Sequence, residues 1–203
     1  MESPSWKKAY HLSLFTIAFN IVEGLVSVYF GVSDDALTLF GFGMDSFIET
    51  ISAAGVLVMI RRIRANPDME RSKFEVTALK ITGWCFYALS LILAAGAVMN
   101  LVNGTKPEST LPGVIISLVS ISSMLFLIYS KKSLGTKLSC DPIIADANCN
   151  LVCVYMSVVL LLSSAAYEIF GFGWIDVIGT AGIIYFSVKE GMEAMEKAKA
   201  LKP

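Results

Sequence analysis

Two pairs of side chains, both in long apolar segments, have the types and spacing that could bind a metal ion. Asp45 and Glu49 are four residues apart, and Cys149 and Cys153 repeat that spacing later in the chain. Residues four apart on a helix lie on one face, one turn from each other. Two carboxylates and two thiolates would suit a tetrahedral site for Zn²⁺ or Cd²⁺, or for a softer ion such as Hg²⁺ or Cu⁺.

The acidic pair is the more informative one because a charged residue at the centre of a membrane span costs roughly 2.5–3.5 kcal/mol on insertion scales. The lysines and arginines lie almost entirely in connections and at chain ends, and Lys80 is the one plausible exception. Asp45 and Glu49 must therefore be protonated, hydrated or bound to a metal. Buried cysteines often act as small hydrophobic residues, so Cys149 and Cys153 gain their value from the match with the acidic pair.

Other polar residues in the apolar segments have lesser predicted roles. Asn20 and Glu23 lie on adjacent turns of the first helix and could line the same cavity, with Glu23 as a proton carrier. Asp146 either supports the ligands or belongs to the cytoplasmic access path. Asp176 is expected to cap a helix or be hydrated, and His11 is expected to be interfacial.

The elements that must position these residues are six long apolar segments. The 203-residue chain is 55% hydrophobic and 16% charged, whereas about a quarter of the residues of a soluble domain are charged. A spanning helix needs roughly 20 mainly apolar residues. We predict an all-α polytopic membrane protein with a single transmembrane domain over residues 1–203 and no soluble domain. The six predicted helices cover residues 9–30, 35–60, 76–102, 111–129, 142–169 and 174–196.

The distribution of positive charge predicts the orientation. Lysines and arginines precede the first helix, follow the second and the sixth, and occur in the polar connection predicted at Ser130–Cys140, whereas the opposite loops hold only Lys106. The positive-inside rule therefore places both termini in the cytoplasm. The formal net charge of −1 gives no reason to expect a nucleic-acid partner. None of the four cysteines falls in a predicted external loop, so a disulfide framework is not expected.

Short motifs in four of the predicted helices follow a known pattern. The first two helices carry Asn20-Ile-Val-Glu23-Gly24, Gly31-Val-Ser33, Ala36-Leu37 and Gly43-Met-Asp45-Ser46-Phe-Ile-Glu49. The fifth carries Ala145-Asp146-Ala147-Asn148-Cys149-Asn150-Leu151-Val152-Cys153, and the sixth begins Trp174-Ile175-Asp176. Together these motifs resemble the transmembrane part of the cation diffusion facilitator family.

The resemblance implies a six-helix, proton-coupled exporter of divalent transition metals, often dimeric, with a tetrahedral site between the second and fifth helices. The family's acidic pair falls on Asp45 and Glu49. Its histidine and aspartate of the fifth helix fall on Cys149 and Cys153, which is a departure that makes the site softer. The chain also departs from the family in lacking the usual cytoplasmic metal-binding domain and a histidine-bearing loop between the fourth and fifth helices.

We therefore expect a metal/proton antiporter that exports a divalent transition metal from the cytoplasm and is not an enzyme, with no catalytic residue and no catalytic cofactor. Its expected partners are the metal ion, protons, the lipid bilayer and a second copy of the chain in a homodimer. Its expected location is the bacterial inner membrane. Two alternatives stay open, namely an intramembrane thiol redox protein that uses Cys149 and Cys153, and a scaffold subunit that transports nothing.

Overall fold

The structure is a computed structural model that describes residues 4–65, 73–104, 106–108, 110–138 and 141–200. These residues form six α-helices and no strand, which confirms the predicted all-α fold with six helices. The helices are α1 (Pro4–Ser33), α2 (Leu37–Ala65), α3 (Lys73–Asn103), α4 (Leu111–Leu138), α5 (Asp141–Phe170) and α6 (Trp174–Ala200).

Contacts between helix ends place both termini on one side of the bundle, called here the terminal side. Ala9 near the start of α1 packs with Leu134 near the end of α4 and Ile143 at the start of α5. On the same side, Arg61 near the end of α2 donates a hydrogen bond to the hydroxyl of Tyr10. Neighbouring helices therefore alternate in direction, as an even number of membrane crossings requires.

Asp176 joins α6 to α2 on the opposite side. Its Oδ2 accepts a hydrogen bond from the backbone N–H of Leu37 at 3.0 Å, and its Oδ1 accepts one from the N–H of Thr38 at 3.2 Å. The hydroxyl of Thr38 donates to the carbonyl oxygen of Asp176 at 2.7 Å. The first N–H groups of a helix lack partners within it, so the carboxylate caps α2 from another helix. The expected capping role of Asp176 is thus confirmed.

Helix α2 occupies the middle of the bundle, where it contacts α1, α3, α5 and α6. Glycines let α1 approach it closely. A Cβ atom on Gly31 would lie 2.5 Å from the backbone nitrogen of Phe40, and one on Gly43 would lie 2.8 Å from Cβ of Ser27. Because small residues allow helix backbones to come this near, the polar residues of α2 are enclosed by other helices.

Four helical segments of the described chain are long and apolar enough to cross a membrane. They are Ser5–Ser33, Leu79–Asn103, Leu111–Leu138 and Asn150–Phe170. Their outward faces carry exposed large apolar side chains such as Leu91, Val102 and Leu162, which a hydrocarbon environment accommodates. With α2 packed among its neighbours, the bundle is that of an integral membrane protein.

The prediction of a polar connection at Ser130–Cys140 is wrong for most of its length. Helix α4 continues to Leu138, and its inward face extends into that stretch. The side chain of Lys131 is consequently only 1% exposed. The polar residues around Lys131 resemble a loop in sequence, yet Lys and Ser are compatible with helix. Pro142, which would interrupt a helix, comes only at the start of α5. A lysine assigned to a cytoplasmic connection therefore lies inside the bundle.

Candidate metal centre

Three of the four predicted ligands converge between α2 and α5. One ligand atom each from Asp45, Glu49 and Cys153 lies within 4.8 Å of the other two, the only such triad among the described residues. The Cys153 thiol donates a hydrogen bond to Oε2 of Glu49 at 3.0 Å. Tetrahedral zinc, with ligand bonds of about 2.0–2.3 Å, sets its ligand atoms roughly 3.3–3.8 Å apart. The longest separation in the triad would have to shorten by about an ångström to reach that spacing, and a fourth ligand would complete a tetrahedral site.

Oxygen atoms without hydrogen-bond partners collect around this triad. Both carboxylate oxygens of Asp45, a residue only 1% exposed, have no partner among the described residues. The amide Nδ2 of Asn20 donates to Oε2 of Glu49 at 3.2 Å, while its Oδ1 is buried and also lacks a partner. Buried polar atoms are nearly always paired. A bound cation would satisfy all of these oxygens, so the residues present fit a metal ion.

The contact between Glu49 and Cys153 sets the register of α2 against α5. The two helices run in opposite directions, so the next turn away from the terminal side places Asp45 level with Ser157. The next turn toward the terminal side places Ala53 level with position 149. The side chains of Cys149 and Asp146 lie outside the described residues, and their roles stay predictions.

A cavity of about 50 Å³ connects the triad to the terminal side. Asp45 and Glu49 line its deep end, and Asn150, Glu190 and Lys197 are among the residues that line the rest. Lys197 lies in the last turn of α6, and 55% of its side chain is exposed. A buried water needs about 10–15 Å³ of such space, so the cavity holds roughly three to five waters. A hydrated ion can therefore approach the carboxylates from the terminal side.

Two charged groups near the triad were missed by the sequence analysis. Lys131 donates to Oδ1 of Asn150 at 3.5 Å and attracts the Glu49 carboxylate electrostatically. The prediction that positive charges lie almost only in connections is therefore wrong for Lys131. Glu190 of α6 lines the cavity and repels both Asp45 and Glu49. The sequence could have indicated Glu190, because it is an acidic residue in the amphipathic end of α6. It contained no comparable indication that Lys131 lies inside the bundle.

The charge balance of the site favours a divalent ion. With Asp45, Glu49 and Cys153 all ionised, the triad would hold three negative charges, and a divalent cation would leave one. The ammonium group of Lys131 attracts the Glu49 carboxylate and reduces that remainder, whereas Glu190 adds to it. Because charges away from water are costly unless they are balanced, a cation stabilises the ionised triad.

The structure also shows the positions of three other residues singled out by the sequence, Glu23, His11 and Asn20. Glu23 does not hydrogen-bond to the triad. Its Oε2 instead accepts a hydrogen bond from the hydroxyl of Ser46 at 3.0 Å. His11 is exposed near the terminal side and packs edge-on against Tyr10. Asn20, unlike Glu23, hydrogen-bonds to one of the predicted ligands, Glu49.

Comparison with known proteins identifies the family of the chain. Transmembrane protein 163 of Xenopus laevis is 27% identical over 164 residues, which are 80% of this chain and 57% of that protein. The chain thus spans little more than half the length of this relative. A family model described as the cation efflux transmembrane domain matches residues 13–200, which include part or all of every helix. The chain therefore belongs to the cation efflux transmembrane domain family.

Proposed function

We propose that this protein exports divalent transition-metal ions in exchange for protons, and that it binds them through Asp45, Glu49 and Cys153. The observation that carries the proposal is the convergence of these three ligand groups within 4.8 Å, at the end of a cavity that leads to the terminal side. The positive-inside rule makes the terminal side cytoplasmic. The metal would enter there and leave on the opposite side.

The thiol of Cys153 supports a preference for soft and borderline ions. Thiolates favour Zn²⁺ and Cd²⁺, whereas all-oxygen sites suit Mg²⁺, Ca²⁺ and Mn²⁺. A fourth ligand would come from Cys149, as the sequence predicts, from Oδ1 of Asn20, or from water. Zn²⁺ and Cd²⁺ are therefore the expected substrates, with Hg²⁺ and Cu⁺ as softer candidates.

Proton exchange follows from the chemistry of the thiol. In the metal-free site Cys153 carries a proton, since its Sγ donates a hydrogen bond to Glu49. When a metal–sulfur bond forms, the S–H bond breaks and the proton leaves the site. Exporting a positive charge against an inside-negative potential costs about 2.3 kcal/mol per charge for 100 mV. A proton that returns inward as metal leaves offsets part of that cost.

Calorimetric titration and flux into proteoliposomes test the proposal with a matched pair of cysteine variants. Cys153→Ser should lower the affinity for Zn²⁺ and Cd²⁺ at least about tenfold and lower the flux of both ions. Cys85→Ser should behave as wild type, because Cys85 packs against the apolar core and is not part of the triad. Wild-type affinity in Cys153→Ser would rule out the site, and robust Mn²⁺ transport without Zn²⁺ or Cd²⁺ transport would rule out the selectivity.

The two alternatives give different outcomes in the same preparation. Cys153 is a free thiol here, bonded to a carboxylate and not to another sulfur. A redox protein would show reversible oxidation of Cys149 with Cys153 in thiol trapping, whereas a scaffold would bind no metal in calorimetry. The homodimer and the bacterial inner membrane stay predictions.

A further inference from the structure

A second buried polar cluster is formed by side chains of α1, α2, α4 and α5. We call it the Glu23 cluster, made of Glu23, Ser46, Ser120 and Ser157. Glu23 is 6% exposed and the three serines are fully buried. The hydroxyl of Ser46 donates to Oε2 of Glu23 at 3.0 Å, and Ser120 lies beside the same carboxylate. The hydroxyls of Ser120 and Ser157 are hydrogen-bonded at 2.9 Å.

The cluster has an oxygen atom with no partner, as the metal centre does. Oε1 of Glu23 is buried and has no hydrogen-bond partner among the described residues. One turn along α1, the hydroxyl oxygen of Ser27 is in the same condition and is fully buried. Unpaired buried oxygens of this kind call for an occupant. Four helices therefore enclose a carboxylate oxygen that is available to a cation.

The chemistry of the Glu23 cluster differs from that of the metal centre. Its groups are one carboxylate and several hydroxyls, with no thiol, so it disfavours soft metal ions. A single negative charge is neutralised by a single positive charge. Intramembrane carboxylates of this kind mark proton or ion pathways. A hard monovalent cation is the occupant that balances the cluster.

We propose that the Glu23 cluster is a second cation site, distinct from the metal centre, which binds the monovalent counter-ion of transport, either H⁺ or Na⁺. This inference rests on the proposed function, since a counter-ion has a role only if the protein moves metal. It gives the counter-ion a carboxylate of its own, in addition to the Cys153 thiol proton that metal binding displaces.

Electrostatics couples the two sites. The titratable groups that face Glu23 are Asp45 and Glu49 from α2 and Cys153 from α5, and each of them repels a negative charge on Glu23. From α4 it meets the hydroxyl of Ser120. A cation at one site therefore disfavours a cation at the other. Such coupling is reciprocal, and mutual exclusion of two cations is what exchange requires.

The test uses full-length protein in proteoliposomes, with Zn²⁺ flux driven by a pH gradient alone or by a Na⁺ gradient alone. Glu23→Gln should still bind Zn²⁺, because Glu23 is not a ligand, but loss of its negative charge should lower the affinity by the coupling factor between the sites, about 5-fold to 150-fold. At saturating Zn²⁺ its gradient-driven flux should fall at least about tenfold. The matched control is Ser122→Ala, whose hydroxyl is exposed on α4 and bonds only to the Leu118 carbonyl of its own helix. It should keep wild-type binding and flux.

Each outcome has a definite meaning. Flux that follows the pH gradient and is lost in Glu23→Gln supports the site with H⁺ as occupant, and the same result with the Na⁺ gradient supports it with Na⁺. Gradient-driven flux that persists in Glu23→Gln overturns the second site while leaving the metal centre intact. A wild type that neither binds nor moves Zn²⁺ overturns the proposed function itself.

Retained Zn²⁺ binding would show that Glu23→Gln is folded. A milder variant provides a second test of the site. Ser120→Ala removes one hydroxyl and leaves the carboxylate in place. We expect it to shift the counter-ion concentration for half-maximal flux about tenfold or more, as the loss of one hydrogen bond to a charged group would. The shift should be downward for H⁺, because the Ser120 hydroxyl stabilises the ionised carboxylate, and upward for Na⁺, which would lose a hydroxyl ligand. An unchanged half-maximal concentration would contradict the inference independently.

Discussion

Glu49 accepts a hydrogen bond from the thiol of Cys153 across the interface between α2 and α5, with 3.0 Å between Oε2 and Sγ. This contact joins the two helices that carry the ligands, and it fixes which turns of each are level. In the proposed function it holds the proton that metal binding would release. A single hydrogen bond thus connects the architecture of the bundle to the proposed selectivity and proton exchange.

Neutralising Asp45 should separate metal binding from stability. Because both of its carboxylate oxygens are buried without partners, Asp45→Asn removes a ligand charge and no hydrogen bond to another described residue. We expect the affinity for Zn²⁺ to fall about 100-fold, whereas the free energy of unfolding of the metal-free protein should stay level or rise by about 1 kcal/mol. Calorimetry and denaturant unfolding in detergent measure the two quantities. A large loss of stability would show that Asp45 has a structural role.

The two cysteines of α5 should differ in importance. The register set by Glu49 and Cys153 places position 149 level with Ala53, one turn from the acidic pair. Cys153→Ser should therefore lower Cd²⁺ affinity more than Cys149→Ser does. Both variants should lose more affinity for Cd²⁺ than for Zn²⁺, since Cd²⁺ is the softer ion. Paired titrations with the two metals provide the comparison. Equal losses in the two variants would place Cys149 in the ligand set beside Cys153.

The sequence was sufficient for the fold because the apolar segments and their breakers are strong signals. It also singled out Asp45 and Glu49, since carboxylates in a span are costly and few, and the structure brings these two together with Cys153. The sequence could not predict which residues of α5 lie opposite which residues of α2, because spacing along one helix does not determine the register between two helices. Lys131 was misplaced for a related reason. A charged residue near a helix end looks the same whether the helix stops there or continues with that residue facing inward.

Replacing Lys131 should destabilise the protein far more than replacing its neighbour. Lys131 is 1% exposed and attracts Glu49, whereas Lys132 is exposed on the same helix. Removing one partner of a buried charge pair typically costs 3–5 kcal/mol. We expect Lys131→Met to lower the free energy of unfolding by about 3 kcal/mol and Lys132→Met to change it by less than about 0.5 kcal/mol. Equal small effects would mean that the buried ammonium contributes nothing to the charge balance.

Metal affinity should depend on pH through the thiol of Cys153. The metal-free site holds the S–H proton in the hydrogen bond to Glu49, and metal binding must release it. Each proton released changes the binding constant about tenfold per pH unit, so Zn²⁺ affinity should rise with pH. Cys153→Ser removes that proton from the balance, because a serine hydroxyl stays protonated.

Titrations of wild type and Cys153→Ser at several pH values, each in two buffers of different ionisation enthalpy, count the protons directly. The wild type should release about one proton more per Zn²⁺ than the variant. Cys85→Ser is the control, since it removes a thiol that is not part of the triad, and its proton count should equal that of wild type. If the wild type and Cys153→Ser release the same number of protons, Cys153 does not bind metal as a thiolate. The carboxylates alone would then account for any exchange of metal for protons.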